Sequence, residues 1–74
     1  MAETILDARG LRCPLPVLKL EKAIEGRTAG DILVVLATDP MARIDIPLYC
    51  TQRGHACTLS EENGVLRLTV TVGR

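Results

Sequence analysis

Apolar residues recur along this chain with different periods, and each period marks a different kind of element. Thr4 to Ala8 is a short apolar segment that reads as a strand, with Leu6 and Ala8 on one face. Arg9-Gly10-Leu11-Arg12 breaks it, and Gly10 is free to take a positive φ. From Pro14 to about Glu25 the spacing changes to helical. Pro16, Val17, Leu20, Ala23 and Ile24 form one apolar stripe, while Lys19, Glu21, Lys22 and Glu25 face water. Gly26 supplies the stop. Ile32 to Ala37 is apolar throughout rather than alternating, and rich in β-branched residues. That pattern predicts a strand in the middle of a sheet, covered on more than one side.

Thr38-Asp39-Pro40 reads as a helix start, with Asp39 as cap and Pro40 at the first helical position. The helix runs to Gln52 or Arg53 and ends at Gly54. Pro47 lies inside it without an N–H to donate, which predicts a kink or break near Asp45, where Asp45 would cap a fresh segment. The last third is a hairpin, His55 to Glu61 pairing with Val65 to Val72 across the turn Asn63-Gly64. Leu66, Leu68, Val70 and Val72 alternate with Arg67, Thr69 and Thr71, giving one buried face and one wet face. The order is β-α-β-α-β-β. The simplest architecture that buries these stripes is an α/β (α+β) two-layer sandwich, with two helices on one face of a four-stranded mixed sheet.

Length fits this reading: 74 residues without repeats, low-complexity runs or a linker make one domain, residues 1–74. Hydrophobic residues at 47% are enough for a packed core, so intrinsic disorder is not expected. Nine Lys and Arg balance nine Asp and Glu, and this argues against gripping nucleic acid or an anionic membrane, which need a basic surplus. Tyr49 is the one aromatic residue, too few for base-stacking platforms or aromatic cages. No apolar stretch approaches the ~20 residues of a membrane span. Met1-Ala2-Glu3-Thr4 places an acid where a signal peptide carries basic residues. A cytoplasmic location is expected, and there the three cysteines, Cys13, Cys50 and Cys57, are thiols rather than a disulfide framework.

Cys13-Pro14-Leu15-Pro16 is the segment most suggestive of chemistry. Cys13 falls at or next to the cap of the first helix, where free N–H groups and the positive dipole end stabilise an anion. A thiol there is expected to ionise more readily than a free cysteine, and the thiolate is the nucleophile. Arg9 and Arg12 add positive charge close in sequence. Pro14 and Pro16 have no N–H, leaving Leu15 and Val17 as early donors, so the sulfur of a capping Cys13 would be served mainly by the Leu15 N–H. The plainer alternative is that Pro-x-Pro only starts a helix and Cys13 caps it incidentally. Leu15 and Leu18 lie off the buried stripe beside Cys13, either as a docking patch or as ordinary surface leucines.

The other candidates read as structural. Cys57 alternates with Leu59 and behaves as a small buried hydrophobe, and Cys50 reads as core, a resolving thiol being unsupported by its spacing. Cys50, His55 and Cys57 lack a fourth partner and no C-x-x-C pair exists, so no metal is expected. His55 would need to lie within about 3 Å of Cys13 to act as its base, and by default it is a surface or edge histidine. Asp39-Pro40 and Asp45-Ile46-Pro47 read first as capping and kink elements, the alternative being that they shape the surface near the first helix's N-terminus.

Leu6-Asp7-Ala8-Arg9-Gly10-Leu11-Arg12-Cys13-Pro14-Leu15-Pro16, followed by Asp39-Pro40, Asp45-Ile46-Pro47, Cys50 and Gly54-His55, resembles the TusA/SirA family of small sulfur carrier proteins from about Leu6 to the C-terminus. The resemblance implies the β-α-β-α-β-β sandwich and a carrier with sulfurtransferase-type activity that holds sulfur as a persulfide on Cys13. Arg9, Arg12, Pro14, Leu15 and Pro16 would support the site, and no cofactor or metal is implied. A cysteine desulfurase or rhodanese-like protein would donate the sulfur, and a DsrE-like or other protein would accept it. Implied destinations are tRNA 2-thiouridine, the molybdenum cofactor or sulfur oxidation, with no direct nucleic-acid or membrane contact. A monomer suits a carrier that alternates partners. Two other classes compete. One is a non-catalytic regulatory or RNA- or protein-binding module, which the family's fold likeness to a translation initiation factor domain invites and the zero net charge opposes. The other is a thiol–disulfide protein using Cys13 with Cys50, which requires their Cα atoms to lie within about 7 Å.

Overall fold

Each period in the sequence becomes an element of the expected kind. The computed structural model describes residues 3–73, and Met1 and Ala2 of the N-terminal segment weighed above for targeting lie outside the described residues. The elements are β1 (Glu3–Ala8), α1 (Leu15–Ile24), β2 (Ile32–Ala37), α2 (Ala42–Arg53), β3 (Ala56–Glu62) and β4 (Val65–Thr71). The sheet has the order β1-β2-β4-β3. β1 and β2 pair in parallel, with Ala8 opposite Ala37, and β4 runs antiparallel to both β2 and β3. Turns at Asn63 (φ 53) and Gly64 (φ 79) close the hairpin, with the two positive φ values that a tight two-residue connection demands.

One core lies between the sheet and the two helices. Leu20 of α1 and Ala42, Ile46 and Cys50 of α2 pack on Ala8, Leu33, Val35, Leu66, Leu68 and Val70. Val17, Ala23 and Ile24 complete the α1 stripe as partly buried residues. The strand positions of the core share one register parity, so both helices cover the same face, an open two-layer α+β arrangement.

Three expectations change. β2 is central, but among the described residues no second layer covers its far face. There Ile32 and Leu36 are half-buried, and Val34 is fully buried between its cross-strand neighbours Ile5 and Thr69. The unbroken apolar run thus reflects a central strand shielded by its neighbours. Pro47 does not break α2 either: the helix is continuous over twelve residues. Pro47 withholds only the bond that would reach the Arg43 carbonyl, while Ala42, Ile46 and Cys50 anchor the helix on both sides of it. Asp45 accordingly lies inside the first turns of one helix rather than capping a second. Ahead of α2, Asp39 and Pro40 form a turn in which Ala42 and Arg43 donate to the Asp39 and Pro40 carbonyls, so the helix starts later than the Pro40 signal implied.

α2 stops at Gly54, whose φ of 81 is left-handed, and the His55 N–H reaches back to the Cys50 carbonyl at 2.8 Å. Gly73 packs on this corner, and a Cβ there would lie 1.9 Å from the Gly54 carbonyl oxygen. Gly73→Ala is therefore expected to cost about 1–3 kcal/mol, as overpacking does. A urea titration checks it, and an unchanged midpoint would contradict this close approach.

Candidate functional site

Parallel pairing of β1 and β2 brings their C-terminal ends to one edge of the sheet, where a crevice forms in such α/β arrangements. Both helices start from that edge, so the loop before α1 and the first turns of α2 lie side by side. The loop after Ala8 is built by local bonds. Arg9 N–H donates to Asp7 Oδ1 at 3.1 Å, Leu11 N–H donates to the Ala8 carbonyl at 3.2 Å, and Gly10 takes a φ of 80. Gly10 N–H also donates to Thr38 Oγ1 at 2.9 Å, tying the loop to the segment after β2.

Cys13 sits one residue before Pro14, the cap of α1. Its N–H donates to Asp39 Oδ2 at 2.6 Å and its Sγ donates to Asp45 Oδ2 at 2.8 Å. Asp39 also accepts from the Met41 N–H at 3.1 Å. These two backbone donors, Cys13 first, hold the Asp39 carboxyl below its ordinary pKa, and the charge of Arg12 adds to the lowering. Asp39 thus fixes where the Cys13 backbone lies, and Asp45 fixes where its sulfur lies.

This geometry overturns the expected electrostatics of the thiol. The Leu15 N–H bonds to the Arg12 carbonyl at 2.8 Å and is not free for the sulfur. Pro14 and Pro16 offer no N–H, so a carboxylate rather than the helix end dominates at Sγ. The hydrogen bond to Asp45 pushes the Cys13 thiol above its ordinary pKa, and desolvation and the charges of Asp45 and Asp39 push the same way. Arg9 is engaged by Asp7. Its guanidinium grips Asp7 through Nε to Oδ1 at 2.9 Å and Nη2 to Oδ2 at 3.0 Å, and this pair holds the Asp7 carboxyl down to about 2. Arg12 is exposed on the loop.

The surface around Cys13 is apolar. Leu15 and Leu18 are each 49% exposed, as expected from their place off the buried stripe, and Met41, Ile44 and Leu48 are exposed on and just before α2. A shallow groove between the helices, lined by Cys13, Pro14, Val17, Asp45 and Leu48, opens at the sulfur. The sequence singled out only Leu15 and Leu18 for such a patch, and Ile44 and Leu48 on the α2 side join them in the structure. Asp39-Pro40 and Asp45-Ile46-Pro47 read first as capping and kink elements, and the structure bears out the alternative, that they shape the surface at the N-terminus of α1.

Cys13 alone among the three cysteines is exposed, whereas Cys50 is buried and Cys57 half-buried. The neighbouring Cys57 thiol and burial push the Cys50 thiol above its ordinary pKa. The structure therefore brings Cys50 to Cys57 rather than to Cys13, against the redox pairing of Cys13 with Cys50. His55 Nδ1 accepts the Gly73 N–H at 3.0 Å and its ring lies 6.2 Å from that of Tyr49, so it is an edge histidine with partners of its own. Among the described residues, no three of His, Cys, Asp and Glu gather as metal ligands, and no helix is long and apolar enough to cross a membrane.

Comparison with known proteins bears on the family and the fold. Residues 4–72 match the family model for the sulfurtransferase TusA. A protein of Neisseria meningitidis serogroup A, whose name places it among sulfur carrier proteins, is 45% identical over 95% of this chain and 96% of its own. The sulfur carrier protein TusA of Pseudomonas putida strain F1 is 44% identical over 82% of this chain and 76% of its own. The crystal structure of a SirA-like protein from Desulfitobacterium hafniense superposes with a TM-score of 0.85 at 29% identity, covering 96% of this chain and 99% of that one. With the motif, the fold and these relatives in agreement over nearly its whole length, the chain belongs to the TusA/SirA family of small sulfur carrier proteins.

Proposed function

We propose that this protein, acting as one carrier domain, accepts sulfur as a persulfide on Cys13 and relays it to a partner protein. The observation that carries the reading is that Cys13 is the one exposed thiol of the three, held at both its backbone and its sulfur. An acceptor of sulfane sulfur needs a thiol that a donor cysteine can reach, and the buried Cys50 does not meet that need. The flanking Leu15, Leu18, Ile44 and Leu48 suit contact with proteins rather than a small polar substrate.

In this reading Pro14 and Pro16 stiffen the loop that presents the sulfur. Arg9 fixes the loop through Asp7, Arg12 supplies its free positive charge, and Leu15 offers apolar contact beside the thiol. A cysteine desulfurase or a rhodanese-like protein is the donor and a DsrE-like protein the acceptor. The relay operates in the cytoplasm and feeds a thiolation pathway such as that of tRNA 2-thiouridine.

Intact-protein mass spectrometry after incubation with a cysteine desulfurase and cysteine tests the proposal. The expected result is a gain of about 32 Da, one sulfur atom, that is lost on thiol reduction. No gain with that donor or with thiosulfate and a rhodanese would overturn it.

A further inference from the structure

The contact between Cys13 Sγ and Asp45 Oδ2, at 2.8 Å, poses a chemical problem. A carboxylate beside a thiol opposes the thiolate that must attack a donor. Asp39 adds negative charge from the β2–α2 turn, Arg9 is committed to Asp7, and Arg12 is nearest in effect to Asp39. No cation among the described residues neutralises Asp45 through an ion pair. The site is thus poorly arranged to store a thiolate, but Asp45 is placed to receive a proton directly from the reacting sulfur.

We propose that Asp45 is the proton relay of Cys13, holding the Sγ proton at rest and taking it as the sulfur attacks. The proposal rests on the persulfide reading above. In the step, Sγ forms a bond to the outer sulfur of the donor persulfide while its proton passes to Asp45 Oδ2. The donor's S–S bond breaks, and its inner sulfur leaves with the electron pair and recovers the proton from Asp45. One sulfur atom moves from donor to Cys13, with no net oxidation or reduction and no further reactant. At rest the same bond keeps an exposed thiol protonated and slow towards adventitious electrophiles, so reactivity is spent on donors bound in the groove.

Asp45→Asn keeps the shape and the hydrogen-bond acceptor but cannot take a proton, and the residue is partly exposed on α2, outside the core cluster. Two measurements are compared with wild type. The first is the pH dependence of iodoacetamide alkylation of Cys13, read at that residue by peptide mass spectrometry, which reports the thiol pKa without any sulfur chemistry. The second is the single-turnover rate of sulfur loading from a cysteine desulfurase between pH 6 and 8.5. The variant's thiol pKa is expected to fall, because the carboxylate's charge is gone. Its loading at pH 6 is expected to drop by at least tenfold, a positioned general base being worth about 10²–10⁴-fold. The deficit narrows as pH rises and thiolate becomes available without a base. An unchanged thiol pKa, or loading in the variant equal to wild type at pH 6, would overturn the relay. Failure of wild type to load at any pH would instead sink the persulfide reading, with the alkylation profile still judging the Asp45–Cys13 coupling.

Discussion

Cys13→Ser is expected to abolish sulfur loading while leaving the fold unchanged. The serine hydroxyl can donate to Asp45 as the thiol does, and the backbone bond to Asp39 does not involve the side chain. The residue is exposed and outside the core cluster, so its stability change should stay within about 0.5 kcal/mol. Oxygen cannot hold a sulfane sulfur under these conditions, so the loss should be complete rather than partial. Intact mass and a thermal melt on the same sample measure both halves. Loading that survives in the variant would move the site to Cys50 or Cys57, and a large drop in melting temperature would show that Cys13 is structural.

The second large effect lies in the core. Leu68 is fully buried on β4, with β2 and β3 as its neighbours and both helices above the same face. Leu68→Ala is expected to cost about 2–5 kcal/mol through lost transfer energy and a residual cavity. At about 4–8 °C per kcal/mol for a domain of this size, the melting temperature should fall by at least ~8 °C. Leu59→Ala, at a position 38% exposed on the edge strand β3, serves as the contrast and should cost under about half as much. Leu59 pairs with Leu68 across the same face, so equal losses at the two positions would contradict a core centred on β2 and β4 rather than at the edge strand.

Most of the fold was legible in the chain because its elements are dictated by local burial periods. The alternation of Leu66, Leu68, Val70 and Val72, the stripe from Pro16 to Ile24 and the Asn63-Gly64 turn each encode an element within a few residues. The errors arise where a distant residue decides. Pro47 suggested a break, but burial of Ile46 and Cys50 against the sheet outweighs one missing backbone bond. The site shows the same limit. Cys13 and its loop could be found from Cys-Pro-x-Pro, yet the two carboxylates that govern it lie 26 and 32 residues away in the chain. Parallel strand pairing brings them to the sulfur, and no local pattern around Cys13 encodes that. For this reason a helix-end argument gave the wrong sign for the thiol: it counted Pro14, Leu15 and the dipole, and did not see Asp45.

The most direct test of the central claim is to locate the sulfur. Wild-type protein loaded by a cysteine desulfurase is capped with iodoacetamide, digested without reductant and read by tandem mass spectrometry. The extra sulfur is expected on the peptide containing Cys13, with Cys50 and Cys57 carrying only the ordinary cap or none. Sulfur found on Cys50 or Cys57, with Cys13 capped as a plain thiol, would contradict it.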